Sequence, residues 1–253
     1  MDRTIWLQHF DNNKLPPWPC PTCRKGHACL VPKSFFNDET ASSTRVRESS
    51  DWDPDWIEYV FSCRAECSNT SCKEPMAVIG KGGIGPSYDE ELGNVWVDYF
   101  LVLHCHPMPH IIPIPKKCPS EVADPLISAF SMFWSNPEAC AGRIRVSLEA
   151  LMNHLGVPKQ QISAKTGKEF ELRLHGRIDL FAKSDPTIGA QMLALKWLGN
   201  AGSHDSGTVS HKDLLDAFEI IENALAEIID ERSKRVALLA DQLTKKHGKD
   251  SAP

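Results

Sequence analysis

The segment Pro19-Cys20-Pro21-Thr22-Cys23 sets two thiols on a tight C-x2-C turn, and Cys67-Ser-Asn-Thr-Ser-Cys72 sets a second pair farther along the same region. Two such knuckles fit one tetrahedral zinc ion. Four thiolates at about 2.3 Å satisfy Zn²⁺, and the short spacing within each pair lets backbone amides of the turn support the sulfurs. Cys20, Cys23, Cys67 and Cys72 are therefore the expected ligands of a structural zinc, because a four-cysteine site leaves no open position for water. Cys63 stands four residues before Cys67 on an expected strand, hence about 13 Å away along it, and is left out. Cys29, Cys105, Cys118 and Cys140 lack partner spacing and are expected to pack as small apolar groups. Nine cysteines is an odd number, and the chain opens without the apolar core of a secretion signal. Both observations argue for metal binding or burial over a disulfide framework.

A second group of chemistry-bearing residues lies in Leu195-Lys196-Trp197-Leu198-Gly199-Asn200-Ala201-Gly202-Ser203-His204, where Lys196, Asn200 and His204 are spaced four apart. If a helix persists they share one face; if it stops at Gly199, the loop folds His204 back beside the helix end. Either way a cation, an amide and an imidazole converge. Such a trio suits phosphodiester cleavage, with His204 as general acid or base, Lys196 steadying the charged phosphorus centre and Asn200 orienting either. The plainer reading is a turn in which Asn200 takes a left-handed backbone and His204 bonds a carbonyl. Arg145 and Glu149 form an (i, i+4) pair on another helix. Exposed, such a pair contributes a few tenths of a kcal/mol; buried against the 200–204 turn, it would support the trio.

Other patterns carry less. His104, His106 and His110 cluster in a histidine- and proline-rich run, yet no carboxylate stands nearby to complete a second metal site. Asp51, Asp53 and Asp55 imitate a calcium loop, but Trp56 sits where the turn glycine belongs. Gly80, Gly82, Gly83 and Gly85 read as a hairpin loop, since no Lys-Ser/Thr pair follows to make a phosphate cradle. Trp6, Trp18, Trp52 and Trp56 are not interleaved with basic residues, so core packing outweighs base stacking.

These residues fall on two differently patterned regions, so the expected fold is α+β: residues 1–120 a mostly β zinc-knuckle domain, residues 121–253 an all-α helical bundle. Residues 57–61, 75–80 and 94–103 read as strands, 36–50 as a mobile surface loop, and 106–119 as a Pro-rich extended connector. Helices are expected from Asp124-Pro125 through Phe133, from Asn136-Pro137 to Leu155, over 169–182, from Asp185-Pro186 to Leu198, and after Ser210 with an apolar stripe continuing to Leu243. Apolar residues at 42% and charged residues at 24% describe a chain that folds in water. The net charge of −5, with neither half basic, excludes a module that grips long duplex DNA by phosphate neutralisation. No apolar run reaches the roughly 18 residues of a membrane span, and the expected location is the cytoplasm.

Ser131-x-Phe-Trp134, Ala141-Gly-Arg-Ile-Arg145-x3-Glu149 and Leu195-Lys-Trp-Leu-Gly-Asn200-x2-Ser-His204 together resemble a bacterial domain-of-unknown-function family near the HEPN helical superfamily, over about the last half of the chain. The Cys20-Pro-Thr-Cys23 knuckle and Asp51-x-Asp-Pro-Asp-Trp-Ile-Glu58 resemble the N-terminal zinc-ribbon-like part of stand-alone members. The resemblance implies a homodimer associated with restriction or phage defence, and a metal-independent ribonuclease or RNA-binding activity. HEPN nucleases carry an Arg-Asn-x3-His signature. Here Asn200 and His204 match, Gly199 stands in place of the arginine, and Lys196 offers a cation one turn earlier, without arginine's fork. The rival expectation is a non-catalytic adaptor that dimerises through the helices and recruits a defence-system protein through the zinc domain.

Overall fold

A computed structural model of the chain, describing residues 2–201 and 209–248, shows a mixed α+β fold: an antiparallel sheet in the N-terminal half and helices in the C-terminal half. It divides into two compact units, Met1–Ile111 with Ile127–Cys140, and Ile112–Leu126 with Ala141–Pro253.

After a single helical turn, α1 (Thr4–Leu7), the first unit builds one antiparallel sheet in the order β1 (Ala28–Leu30), β3 (Glu58–Cys67), β4 (Pro75–Asp89) and β5 (Gly93–His106), with β2 (Phe36–Glu39) also paired to β3. Alternation decides the faces. Phe61, Cys63, Ala65 and Cys67 of β3 are buried, as are Met76 and Val78 of β4. On β5 the buried set runs Phe100, Val102, then Cys105, one residue out of step. A bulge opposite Ile79 and Gly80 absorbs the extra residue and keeps the apolar face inward.

The glycine-rich stretch is strand, not the expected hairpin loop. Gly80, Gly82, Gly83 and Gly85 all lie within β4, opposite the aromatic part of β5. A Cβ at Gly82 would sit 2.5 Å from the Phe100 ring, so the missing side chains admit the packed rings of Phe10, Phe35, Phe61 and Phe100. The turn falls later and closes at Gly93, whose φ of +72° is left-handed.

Residues 36–50 are also ordered, contrary to the expected mobile loop. β2 pairs with β3, and Thr40 caps α2 (Ala41–Val46) by accepting from the Ser43 amide. The buried Ser43 hydroxyl donates to Glu39 Oε1 at 2.7 Å and accepts from the Glu58 amide, while Arg47 forks onto Glu39. Polar residues here are fixed by one another. A 3₁₀ turn (Pro54–Trp56) leads into β3. The Pro-rich run is likewise no solvated connector: Met108 and Ile111 are buried in this unit. Trp6 and Trp18 are core, as expected, with Trp134 against both at 5.9 and 5.1 Å, whereas Trp56 stays 43% exposed.

Among the described residues six helices follow: α3 (Ser120–Met132), α4 (Pro137–His154), α5 (Leu174–Ala182), α6 (Pro186–Ala201), α7 (His211–Ile228) and α8 (Arg232–His247). Three starts follow the cap chemistry. Asn136 and Asp185 accept from the amides of Ala139 and Ile188, each at 3.0 Å, and Ser210 with Asp213 forms a capping box. Three expectations fail. α3 begins at Ser120 and carries Pro125 inside it. Residues 169–171 form β7 (Glu169–Glu171), paired with β6 (Gln160–Ile162) around a turn with Gly167 at φ +64°, so α5 starts only at Leu174. The last helix breaks at Glu231, which is left-handed; beyond it Val236, Leu239 and Leu243 are exposed, while Leu214, Leu215, Phe218, Ile221 and Leu225 of α7 are core. α6 packs between α5 and α7. Among the described residues no helix is long and apolar enough to cross a membrane.

Candidate metal centre and polar helix cluster

The Sγ atoms of Cys20, Cys23, Cys67 and Cys72 all lie within 4.8 Å of one another, a group that could hold a metal ion. The contacts Cys20–Cys72 and Cys23–Cys67 measure 3.8 and 3.6 Å. A disulfide needs about 2.05 Å, whereas thiolates about 2.3 Å from a tetrahedral centre stand about 3.8 Å apart. These two separations exclude a disulfide and are compatible with ligands around one ion.

Backbone geometry explains both spacings. In the first knuckle the Arg24 amide donates to the Cys20 carbonyl at 3.1 Å, and Arg24 is left-handed at φ +54°. In the second, the Lys73 amide donates to the Asn69 carbonyl at 3.0 Å, and Lys73 is left-handed at φ +52°. The two turns are equivalent, with Asn69 at the place of Cys20. The missing ligand comes from Cys67, the last residue of β3, which lengthens the spacing from x2 to x4. Asn69 stays in the centre: its amide N–H donates to Cys67 Sγ and its side chain toward Cys23 Sγ. Gly26 is required as well, since a Cβ there would fall 2.5 Å from Cys67 Sγ. Asn69 and Gly26 escaped the sequence reading; the signals were an asparagine inside the second knuckle and a glycine three residues past the first.

Electrostatics divides the thiols. The amides of Gly26 and then Lys25 pull Cys23 down to about 6, within reach of ionisation at neutral pH. Desolvation pushes Cys67 up to about 12, and a bound cation would reverse that. Cys63, Cys105 and Cys140, outside the cluster, are raised to about 12 by burial, as small core side chains should be. Among the described residues the four cysteines are the one cluster of this kind, and the histidines of 104–110 do not form another. His110 instead pairs its Nδ1 with Arg24 at 2.6 Å and packs on Phe130.

In the second unit, α4 and α6 bring three of the sequence-derived residues together. Arg145 Nη1 donates to Asn200 Oδ1 at 2.6 Å, and its Nε to Glu149 Oε1 at 3.3 Å. α6 does not stop at Gly199. It continues through Ala201, and Asn200 is helical, not left-handed. Lys196 is buried, with Nζ 3.3 Å over the Trp197 ring; among the described residues it makes no hydrogen bond to Arg145, Glu149 or Asn200. His204 lies outside the described residues. Arg177 of α5 was not foreseen: burial lowers its pKa, the Glu149 charge opposes this, and its Nη2 donates to the Val157 carbonyl at 2.9 Å.

Residues 8–105 match a domain of unknown function (DUF8608), and residues 128–246 match a second (DUF4145). No curated protein and no solved structure matches the chain.

Proposed function

We propose that the chain is a zinc-stabilised, RNA-directed protein of the defence-associated HEPN kind, with zinc holding the sheet unit and the helical unit meeting the phosphodiester. The observation that carries the RNA reading is the Arg145–Asn200 bond. Arginine supplies the planar fork that lysine lacks, and it reaches Asn200 from α4, whereas Gly199 beside it has no side chain. With its oxygen engaged by Arg145, the Asn200 amide keeps two N–H donors for a phosphate oxygen. His204 then takes or gives the proton as the 2′-oxygen attacks phosphorus and the 5′-oxygen leaves. Lys196 adds positive charge from the same helix. No step runs through the zinc, whose four-thiolate shell supplies folding energy alone. Nine cysteines without a disulfide suit a reducing compartment, so we place the protein in the cytoplasm; the homodimer is what the resemblance of the helical half implies.

Cleavage of RNA in EDTA by the purified chain, beside His204→Ala, tests the reading once zinc content and oligomeric state are matched. Loss of cleavage in the mutant alone supports it; no cleavage and no RNA binding by the folded wild type overturns it. The second reading, a non-catalytic adaptor that recruits a protein through the sheet unit, is favoured by β5, which ends the strand order, and by the acidic residues Asp89, Glu90, Glu91 and Asp98 of the β4–β5 ribbon.

A further inference from the structure

β5 is the outermost strand of the sheet, and its free edge is covered at one place. There Phe10 bridges Phe100, with N–H to carbonyl distances of 3.2 and 2.9 Å in the two directions. Both Phe100 backbone groups thus face away from β4. By the alternation of an antiparallel ladder, those of Asp98, Trp96 and Asn94 face outward too. Among the described residues nothing pairs with them. Such a row is a template for another strand.

A cleft of about 770 Å³ lies beside this open stretch, lined among others by His9, Asp11, Asp55, Ser87, Asp98 and Tyr99. The His9 ring stacks on Tyr99, centroids 4.9 Å apart and 20° between planes, giving the cleft a flat aromatic wall. The lining holds three carboxylates and no lysine or arginine, and among the described residues none of the three is in an ion pair. The ribbon rising from the cleft keeps the same character. Residues 84–99 contain Asp89, Glu90, Glu91 and Asp98 and no basic side chain, and they expose Tyr88, Trp96 and Val97. β3 pairs with β4 only as far as Gly83, so this part of the hairpin has two strands, an arrangement marginal by itself.

We propose that the edge of β5 over residues 94–98 docks an extended, basic segment of a partner protein as an added strand, with a lysine or arginine side chain of that segment seated in the cleft. Backbone bonds to Trp96 and Asp98 set the register. Asp11, Asp55 and Asp98 receive the cation, and the face of Tyr99 borders it. The charge decides the partner class. Four carboxylates on 16 residues repel a phosphate backbone and attract a basic peptide. The inference deepens the adaptor reading and does not depend on RNA chemistry in the helical unit.

The test uses the full zinc-loaded chain and three labelled octapeptides: alternating Arg and Val, the same with Glu for Arg, and the Arg peptide N-methylated at alternate amides. At about 0.15 M salt the Arg peptide should bind at least tenfold tighter than either control. Asp98→Asn and Asp55→Asn should each weaken it several-fold. Trp96→Pro, which removes an outward N–H without touching the β4 ladder, should abolish the advantage over the N-methylated peptide while zinc content and the circular dichroism of the sheet stay unchanged. Neutralising the ribbon tip in a Asp89→Asn, Glu90→Gln, Glu91→Gln variant removes more charge farther from the cleft and should cost about twofold or less. Equal binding of Arg and Glu peptides overturns the proposal, as does indifference to both N-methylation and Trp96→Pro. Stronger weakening by the tip variant than by Asp98→Asn would reduce the effect to diffuse charge and overturn it as well.

Discussion

Gly199 of α6 faces Arg145 of α4 so closely that a Cβ on the glycine would lie 2.7 Å from the Cβ of Arg145 and 3.2 Å from the Ala141 carbonyl. The atoms in the way are a Cβ and a backbone oxygen, which cannot swing aside as a side-chain tip would. The same contact that forbids a side chain at 199 lets Arg145 reach Asn200 on the next residue. Gly199→Ala should therefore destabilise the helical unit by about 1–3 kcal/mol through overpacking, against the gain of about 1 kcal/mol that alanine brings to a helix interior. Denaturant melts of the two proteins decide the sign, and a net stabilisation would show that the helices separate without cost.

Metal removal should act on the sheet unit. Cys20→Ser and Cys72→Ser should each lower bound zinc from one ion per chain to near zero, because three thiolates lose the affinity of four. Cys29→Ser, next on β1 to Cys67's partner Ala28 and outside the cluster, should leave zinc content intact. Elemental analysis after gel filtration reads all three. Retention of a full equivalent by Cys72→Ser would remove the x4 knuckle from the site.

Thiol reactivity should sort the cysteines in the same way. At pH 7 in the metal-free chain, Cys23 should be alkylated first, since backbone amides bring it to about 6 and the residue is partly accessible. Cys63, Cys105 and Cys140, held near 12 by burial, should react only on unfolding. Zinc should protect Cys23 by coordination, and should slow Cys63, Cys105 and Cys140 only as far as it holds the sheet unit against unfolding. Timed alkylation with peptide mapping gives the order.

Acid should weaken the sheet unit through His110. Burial first, and the Arg24 charge second, lower its pKa from 6.5 to about 4, so the folded state prefers the neutral ring. The stabilisation is fully present above the unfolded value of 6.5 and is lost as pH falls toward 4, at most about 1.4 kcal/mol for each pH step while one proton is taken up. His110→Gln keeps an acceptor for Arg24 and cannot titrate. Its stability should fall less steeply between pH 6.5 and 4 than that of the wild type, measured by denaturant melts across that window.

Sequence legibility followed the range of the forces. Asn136, Asp185 and Ser210 act on amides within three residues, and each helix start was readable from its own neighbourhood. The glycines of β4 were misread because their cause is Phe61 and Phe100, remote in sequence. Residues 36–50 lacked apolar periodicity because Ser43, Glu39 and Arg47 order one another by hydrogen bonds, which leave no periodic trace. The cluster was legible as four cysteines, yet Asn69 became visible only with the second turn's geometry. At 199–200 the glycine looked like a helix stop; its real cause, an arginine 54 residues earlier, is tertiary.

Asn200 separates a structural role from a chemical one. Its oxygen accepts from Arg145, and an aspartate keeps that oxygen, strengthens it by charge, and removes the N–H donors that a phosphate would use. If the residue only ties α4 to α6, Asn200→Asp should be neutral or stabilising, and Asn200→Ala should cost about 1–3 kcal/mol by leaving Arg145 without its partner. If the cluster also binds a phosphodiester, Asn200→Asp should lose at least about tenfold in RNA affinity with folding intact, since a new negative charge meets the ligand where a donor stood. Arg145→Lys should lose affinity in the same assay while keeping charge, because an ammonium cannot hold Asn200, Glu149 and a phosphate oxygen together as a fork does. Melting curves and RNA titrations on the same three preparations give both readouts. A folded Asn200→Asp that binds RNA like the wild type would leave the Arg145–Asn200 bond as a helix tie alone.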